Sequence, residues 1–298
     1  MSGEKTVVRI VAEKCIRCGL CVEECPAHIF QPPRDGNPPE LCRLEACIRC
    51  GHCVCVCPGE AIEMAEFPPE KLLPISACQP VADGESFYHL LQTRRSVRLF
   101  EKKPVPREML EKIVRAAELA PTATNQRKVC WTVVTNPEIL EEIRFLTVDF
   151  LRTSCEKLQT LPAKILARLF PQSEAGKNIH RVPMMRSLLE IAQKRDVILY
   201  DAPAVLFAHY DRQVGRFADP DAQLAIQNAT LACVSMGLGT FYTGFVTRAS
   251  DSQPRIAQVL RLPDNHVLAG GLTVGFPRVQ YRKVMVRDYP AVSWLESP

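Results

Sequence analysis

The chain has 298 residues, 47% of them hydrophobic, enough for one large domain and a smaller one with buried cores and too many for a disordered chain. Met1–Lys14 carries no apolar run, and no later stretch approaches the roughly 18 apolar residues of a membrane span, so a soluble, cytoplasmic protein without membrane association is expected. The net charge of +4 is uneven, with 7 Lys/Arg against 10 Asp/Glu in residues 1–66 and 30 against 23 beyond; lacking a basic stripe with interleaved aromatics, this favours a basic pocket for a phosphate-bearing cofactor over a nucleic-acid surface.

Ten of the fourteen cysteines precede residue 58, too dense and regular for a disulfide framework in a reducing compartment. Cys15-Ile-Arg-Cys18-Gly-Leu-Cys21-Val-Glu-Glu-Cys25-Pro26 recurs 32 residues later as Cys47-Ile-Arg-Cys50-Gly-His-Cys53-Val-Cys-Val-Cys57-Pro58. Each copy is C-x2-C-x2-C-x3-C-P, the spacing of bacterial two-cluster ferredoxins. Three thiolates two residues apart wrap one cubane, and the fourth, before proline, reaches the other cluster. The expected ligand sets are therefore Cys15, Cys18, Cys21 and Cys57 for one [4Fe–4S] cluster, and Cys47, Cys50, Cys53 and Cys25 for the other. Gly19 and Gly51 let backbone amides approach the sulfides. Paired zinc sites would leave Cys21 and Cys53 without a role. No ligand role is assigned to Cys42, Cys55, Cys78, Cys130, Cys155 or Cys233.

Glu66–Val81 is proline-rich and aperiodic, a semi-rigid connector. The expected organisation is a two-cluster domain over 1–66, a linker over 67–85 and a larger domain over 86–298. In the latter, Pro106–Ala120 places Leu110, Ile113, Val114 and Ala117 on one helical stripe. Val129–Thr135 is β-rich, Pro137–Leu146 helical, and Ala204–His209 a buried strand. Asp221–Met236 is a helix with few charges on any face, suited to a core or a subunit interface. Phe241–Val246 and Val267–Gly275 read as strands, with a helix between them starting near Asp251. Walker A, G-x-S-x-G and H-E-x-x-H motifs are all missing, Gly237–Gly244 matches G-x-G-x-x-G only loosely, and no role is assigned to His180 or His209.

Four segments in order resemble the FMN-dependent nitroreductase family, and behind the cysteine repeat they resemble its iron–sulfur branch. They are Arg94-Arg95-Ser96-Val97-Arg98-Leu99-Phe100, Ala120-Pro121-Thr122-Ala123-Thr124-Asn125-Gln126, Gly237-Leu238-Gly239-Thr240-Phe241-Tyr242-Thr243-Gly244-Phe245, and the stretch from Leu262-Pro263 through Gly275-Phe276-Pro277 to Arg287. The resemblance implies an α+β fold, an antiparallel-rich sheet wrapped by helices, in a homodimer with FMN at the interface. It implies that Arg94, Arg95, Ser96 and Arg98 hold the FMN phosphate, with Arg287 a further cation for which Arg282 and Lys283 are alternatives. Pro121, Thr122, Ala123 and Asn125 match the segment that reaches the partner's flavin. Tyr242, Thr243 and Gly244 match the turn whose amides face the ring, and Arg195 with Asp196 the ribityl side.

The chain departs from the family where Arg127-Lys128 stands in place of the usual proline after Gln126, adding positive charge near the mouth of the site, and Val148–Lys194 matches no family segment. Clusters pass single electrons and FMN can deliver two, so no catalytic acid or base is expected. The expected activity is reduction of a small acceptor: a nitroaromatic, quinone or activated alkene. The alternatives are an electron-transfer subunit serving a protein partner and a redox sensor. The donor is left open between NAD(P)H and a ferredoxin or other redox protein.

Overall fold

The structure, a computed structural model, describes residues 8–34, 36–75 and 83–296. Cys78 and part of the expected connector lie outside them. The chain divides into two compact units, residues 1–83 with 124–126, and residues 84–123 with 127–298.

In the first unit the 32-residue repeat extends to the backbone. β1 (Val8–Ile10), α1 (Leu20–Glu23) and β2 (Phe30–Gln31) are followed by β3 (Glu40–Leu41), α2 (His52–Val56) and β4 (Ile62–Met64). β1 pairs antiparallel with β4, and β2 with β3, so each two-stranded sheet takes one strand from each copy. The core beneath them is small: Val8, Ile29, Phe30, Ile62 and Met64 are buried together with Cys21, Cys25 and Cys53.

The second unit opens with α3 (Gly84–Thr93), α4 (Arg107–Glu118) and β5 (Cys130–Val134). Four helices follow: α5 (Pro137–Gln159), α6 (Leu161–Leu169), α7 (Glu174–Asn178) and α8 (Val182–Ala192). Then come β6 (Ala204–Asp211), α9 (Ala218–Ser235), β7 (Gly239–Tyr242), α10 (Gly244–Ser250), α11 (Pro254–Val259) and β8 (His266–Gly275). The strands form one antiparallel sheet in the order β5-β6-β8-β7.

Helices cover both faces of that sheet, which is why β6 is apolar at successive positions rather than alternate ones. Ala204 and Leu206 of β6 pack with Leu272 and Val274 of β8 against α4 and α9. Val205 and Phe207 face the other way, against Ile143 and Leu151 of α5, Val246 of α10 and Ile256 of α11. On α4 the predicted stripe is the buried one, with Leu110, Ile113 and Ala117 inward. On α9 the inward residues Ala222, Ala225, Ala229 and Cys233 are small, which lets the helix lie close to the sheet. Ala269 of β8 is a bulge: Gly270 pairs with Ala208 and Leu268 with His209, so the extra residue switches the faces of β8 beyond it. Leu272 accordingly packs toward α9, while Leu268 packs on the α5 side.

Several expected elements shift. The strand expected over Phe241–Val246 stops at Tyr242, because the Thr243 carbonyl accepts from the amides of Val246 and Thr247 and starts a helix there. The helix expected near Asp251 is α11, begun by Pro254 at its first turn. The helix expected to end at Leu146 runs on to Gln159. It is capped by Asn136, whose side chain accepts from the amides of Glu138 and Ile139, and it stops before Thr160-Leu-Pro.

Candidate functional site

Each cysteine run begins after a short 3-10 turn, Ala12–Lys14 or Leu44–Ala46, and passes through two left-handed positions. These are Arg17 (φ 62°) and Gly19 (φ 79°) in one copy, and Arg49 (φ 54°) and Gly51 (φ 76°) in the other. Glycine suits this region, whereas an arginine there carries a steric cost that the loop must over-determine. The two left-handed steps curl each run so that its thiols converge, and Gly19 and Gly51 then cap α1 and α2. A side chain on Gly51 would also run into the Phe67 ring.

The cysteines gather as two sets of four. One concave site is walled by Cys25, Cys47, Cys50 and Cys53, with Pro26, Ile29 and Met64 behind them. Burial pushes the Cys53 thiol up to about 12, followed by the charges of Cys50, Cys25 and Cys47. Around Cys21, burial and then the charges of Cys57, Cys15 and Cys18 raise the thiol likewise. The cysteine before proline in each copy thus lies with the first three cysteines of the other. Cys57 Sγ also accepts from the Ala61 amide at 3.2 Å. Four soft donors in each set fit an iron–sulfur cluster, whose positive irons relieve the repulsion that burial of thiolates creates.

In the second unit, Arg94 and Ser96 stand two residues apart on the strand-like segment that bridges Thr240 of β7. They open onto a cavity of about 170 Å³, completed by Gln223, Gln227 and Thr230 of α9 with Thr240, Phe241 and Tyr242 of β7. Arg94 forms no ion pair among the described residues, so this basic group and the hydroxyl beside it are available to an anion.

The other candidate residues distribute around this cavity rather than filling it. Arg95 donates to the carbonyls of Gln92 and Arg94, at 2.8 and 2.9 Å, and its second terminal nitrogen is buried without a partner among the described residues. The guanidinium of Arg98 stacks on Phe241, 4.5 Å from the ring centre, and on Tyr200, so it braces β7 instead of joining Arg94. The Thr243 amide is taken by the Gly271 carbonyl, while its hydroxyl is buried without a partner among the described residues; Gly244 opens α10. Pro121, Thr122 and Ala123 are held to α9 by Asp221, whose carboxylate accepts from the Ala123 amide at 3.0 Å. Asn125 groups with the first unit and donates to the Arg49 carbonyl at 2.9 Å. Asp196 accepts from the amides of Ile198, Leu199 and Asp201, a loop brace beside Arg195. Arg287 lies in the exposed segment that follows β8, together with Arg282 and Lys283. Gln223, Gln227 and Thr230 line the cavity without having been candidates, since polar residues on a helix give no signal apart from register.

Residues 91–276 match the nitroreductase family model, and residues 14–62 match the 4Fe-4S dicluster domain. The "Putative NADH dehydrogenase/NAD(P)H nitroreductase" of Methanothermobacter thermautotrophicus is 25% identical over 190 residues, covering 63% of this chain and 75% of its own. The iodotyrosine deiodinase of Danio rerio is 24% identical over 201 residues, 65% of this chain and 61% of its own. A crystal structure of a nitroreductase with bound FMN from Desulfitobacterium hafniense shares the fold with a TM-score of 0.53. It is 19% identical and covers 70% of this chain and 97% of its own. With the match spanning more than half of its residues, the chain belongs to the nitroreductase family, and it carries a 4Fe-4S dicluster domain ahead of the family fold.

Proposed function

We propose that this nitroreductase-family oxidoreductase reduces a small acceptor, a nitroaromatic, quinone or activated alkene, with two [4Fe–4S] clusters and FMN as its electron-carrying groups. The observation that carries the reading is the shared site of Cys25 with Cys47, Cys50 and Cys53, a donor set with no use in a flavoprotein that only takes hydride from a dinucleotide. Cys15, Cys18, Cys21 and Cys57 would hold one cluster, and Cys25, Cys47, Cys50 and Cys53 the other. Bound clusters supply one-electron chemistry, and FMN supplies the exchange between single electrons and a hydride equivalent.

The chain's own residues then bind and tune. The Ala61 amide withdraws electron density from Cys57 Sγ, a hydrogen bond of the kind that sets cluster potentials. Arg94 and Ser96 would take the FMN phosphate in the cavity they line, and the orphaned nitrogen of Arg95 and hydroxyl of Thr243 are buried polar groups that a bound flavin can satisfy. Tyr242 walls the same cavity, whereas Pro121, Thr122 and Ala123 do not; a homodimer in which a second copy supplies them would complete the site.

The test is anaerobic. The protein, carrying equimolar FMN, is mixed separately with NADH, NADPH and reduced ferredoxin. One of these donors is expected to bleach the flavin, and a nitroaromatic or quinone to restore its absorbance. Restoration by a redox protein alone would overturn the small-acceptor reading in favour of an electron-transfer subunit.

A further inference from the structure

Three strands of the second unit bring Cys130, His209 and His266 together at one end of the sheet. Cys130, the first residue of β5, pairs with His209 of β6, so the two side chains share a face. His266, the first residue of β8, pairs with Asp211, two residues beyond His209. It reaches the face of His209 because of the bulge at Ala269; in an unbroken ladder relative to Leu272, position 266 would stand on the α9 side. The Cys130 Sγ and a ring nitrogen of each histidine lie within 4.8 Å of one another.

We propose that Cys130, His209 and His266 form a binding site for one Zn²⁺ ion, separate from the cluster cysteines. One thiolate and two imidazoles are a zinc donor set of three protein ligands that leaves a fourth position open, and Cys130 is exposed, so that position meets solvent. Thr132 Oγ1 lies 3.2 Å from Nε2 of His209, so the tautomer with its proton on Nε2 can donate to it and leave Nδ1 free to ligate. The two Nδ1 atoms are 2.8 Å apart. Nitrogen ligands of a tetrahedral zinc stand about 3.3 Å apart, so binding asks the rings to separate by roughly half an ångström. His266 is only partly buried and can make that movement. An ion here would staple the edge strand β5 to β6 and β8.

The test uses the full chain, purified anaerobically with its iron and sulfide intact, stripped of loosely held metal and titrated with Zn²⁺ against a chromophoric chelator. One tightly held zinc per chain is expected, with iron and sulfide unchanged. Cys130→Ser and His266→Gln, both at accessible positions, should lose it. Thr132→Val should weaken it by about 10- to 100-fold. X-ray absorption at the zinc edge should show one sulfur at about 2.3 Å beside lighter ligands at about 2.0–2.1 Å. No zinc beyond the stripped level, equal zinc in the Cys130 and His266 variants, or a shell of four sulfurs would each overturn the proposal. The iron and sulfide readings keep a failed cluster assignment distinguishable from a failed zinc site.

Discussion

The grouping of the eight cysteines can be tested by counting iron in paired variants. If Cys25 belongs with Cys47, Cys50 and Cys53, Cys25→Ser removes one ligand from that set, and the hard serine oxygen is a poor substitute for thiolate. One cluster should be lost, so iron and acid-labile sulfide fall from about eight to about four per chain. A second substitution then discriminates. Adding Cys53→Ser strikes the same set, leaving iron at about four. Adding Cys21→Ser instead strikes the set that contains Cys57, Cys15 and Cys18, so iron should approach zero. Grouping within each motif predicts the reverse, with zero for the Cys25/Cys53 pair and about four for the Cys25/Cys21 pair. The assay is iron and sulfide per chain after anaerobic purification, with protein recovered at normal yield. Iron near zero in the Cys25/Cys53 variant, while each single variant keeps half, would refute the assignment. FMN content is expected to stay level throughout, because Arg94 and Ser96 belong to the other unit.

Ser96→Ala should weaken FMN retention by about 1.5–3 kcal/mol, roughly 10- to 150-fold, and Arg94→Ala by more; unchanged flavin content in the Arg94 variant would place the phosphate elsewhere. Sedimentation should show a dimer that holds FMN only as a dimer, and a stable flavin-replete monomer would contradict the assembly. Gly271→Ala should lower stability by about 1–3 kcal/mol, because its Cβ would lie 2.7 Å from the ring of Phe207 deep in the sheet; a thermal melt unchanged from wild type would show that the packing yields there.

How much of this could be read beforehand follows from how local each feature is. The cysteine sets were legible because their spacing is covalent, and the 32-residue shift repeats down to the left-handed Arg17 and Arg49. The helix carrying Leu110 and Ile113 and the strand around Phe207 were legible from period. The cavity lined by Arg94 and Ser96 was legible only through those two residues, since its α9 side is made of Gln223, Gln227 and Thr230, which align only once helix and sheet dock. Arg98 shows the limit of a motif: it sits in the basic run, yet two aromatic rings from distant segments claim its guanidinium. The meeting of His209 with His266 was invisible, because a bulge adds a residue without changing the composition of the strand. The helices over 148–192 were not read because the stretch matches no family segment, and α6 leaves Leu161 and Leu169 exposed.

The small core of the first unit has a consequence for how the protein ages. Among the described residues, three of its eight buried core positions are cysteines, and the strands around them are two or three residues long. Without metal, those positions hold thiols that are poor core formers when neutral and mutually repelling when ionised, and the remaining apolar residues are too few to fold a segment of this size. Iron and sulfide, once bound, would therefore fill the core of the domain. Air that strips the clusters would unfold the segment that housed them, exposing cysteine-rich chain to disulfide scrambling and proteolysis. The lifetime of this domain would then depend on oxygen and iron supply as much as on temperature.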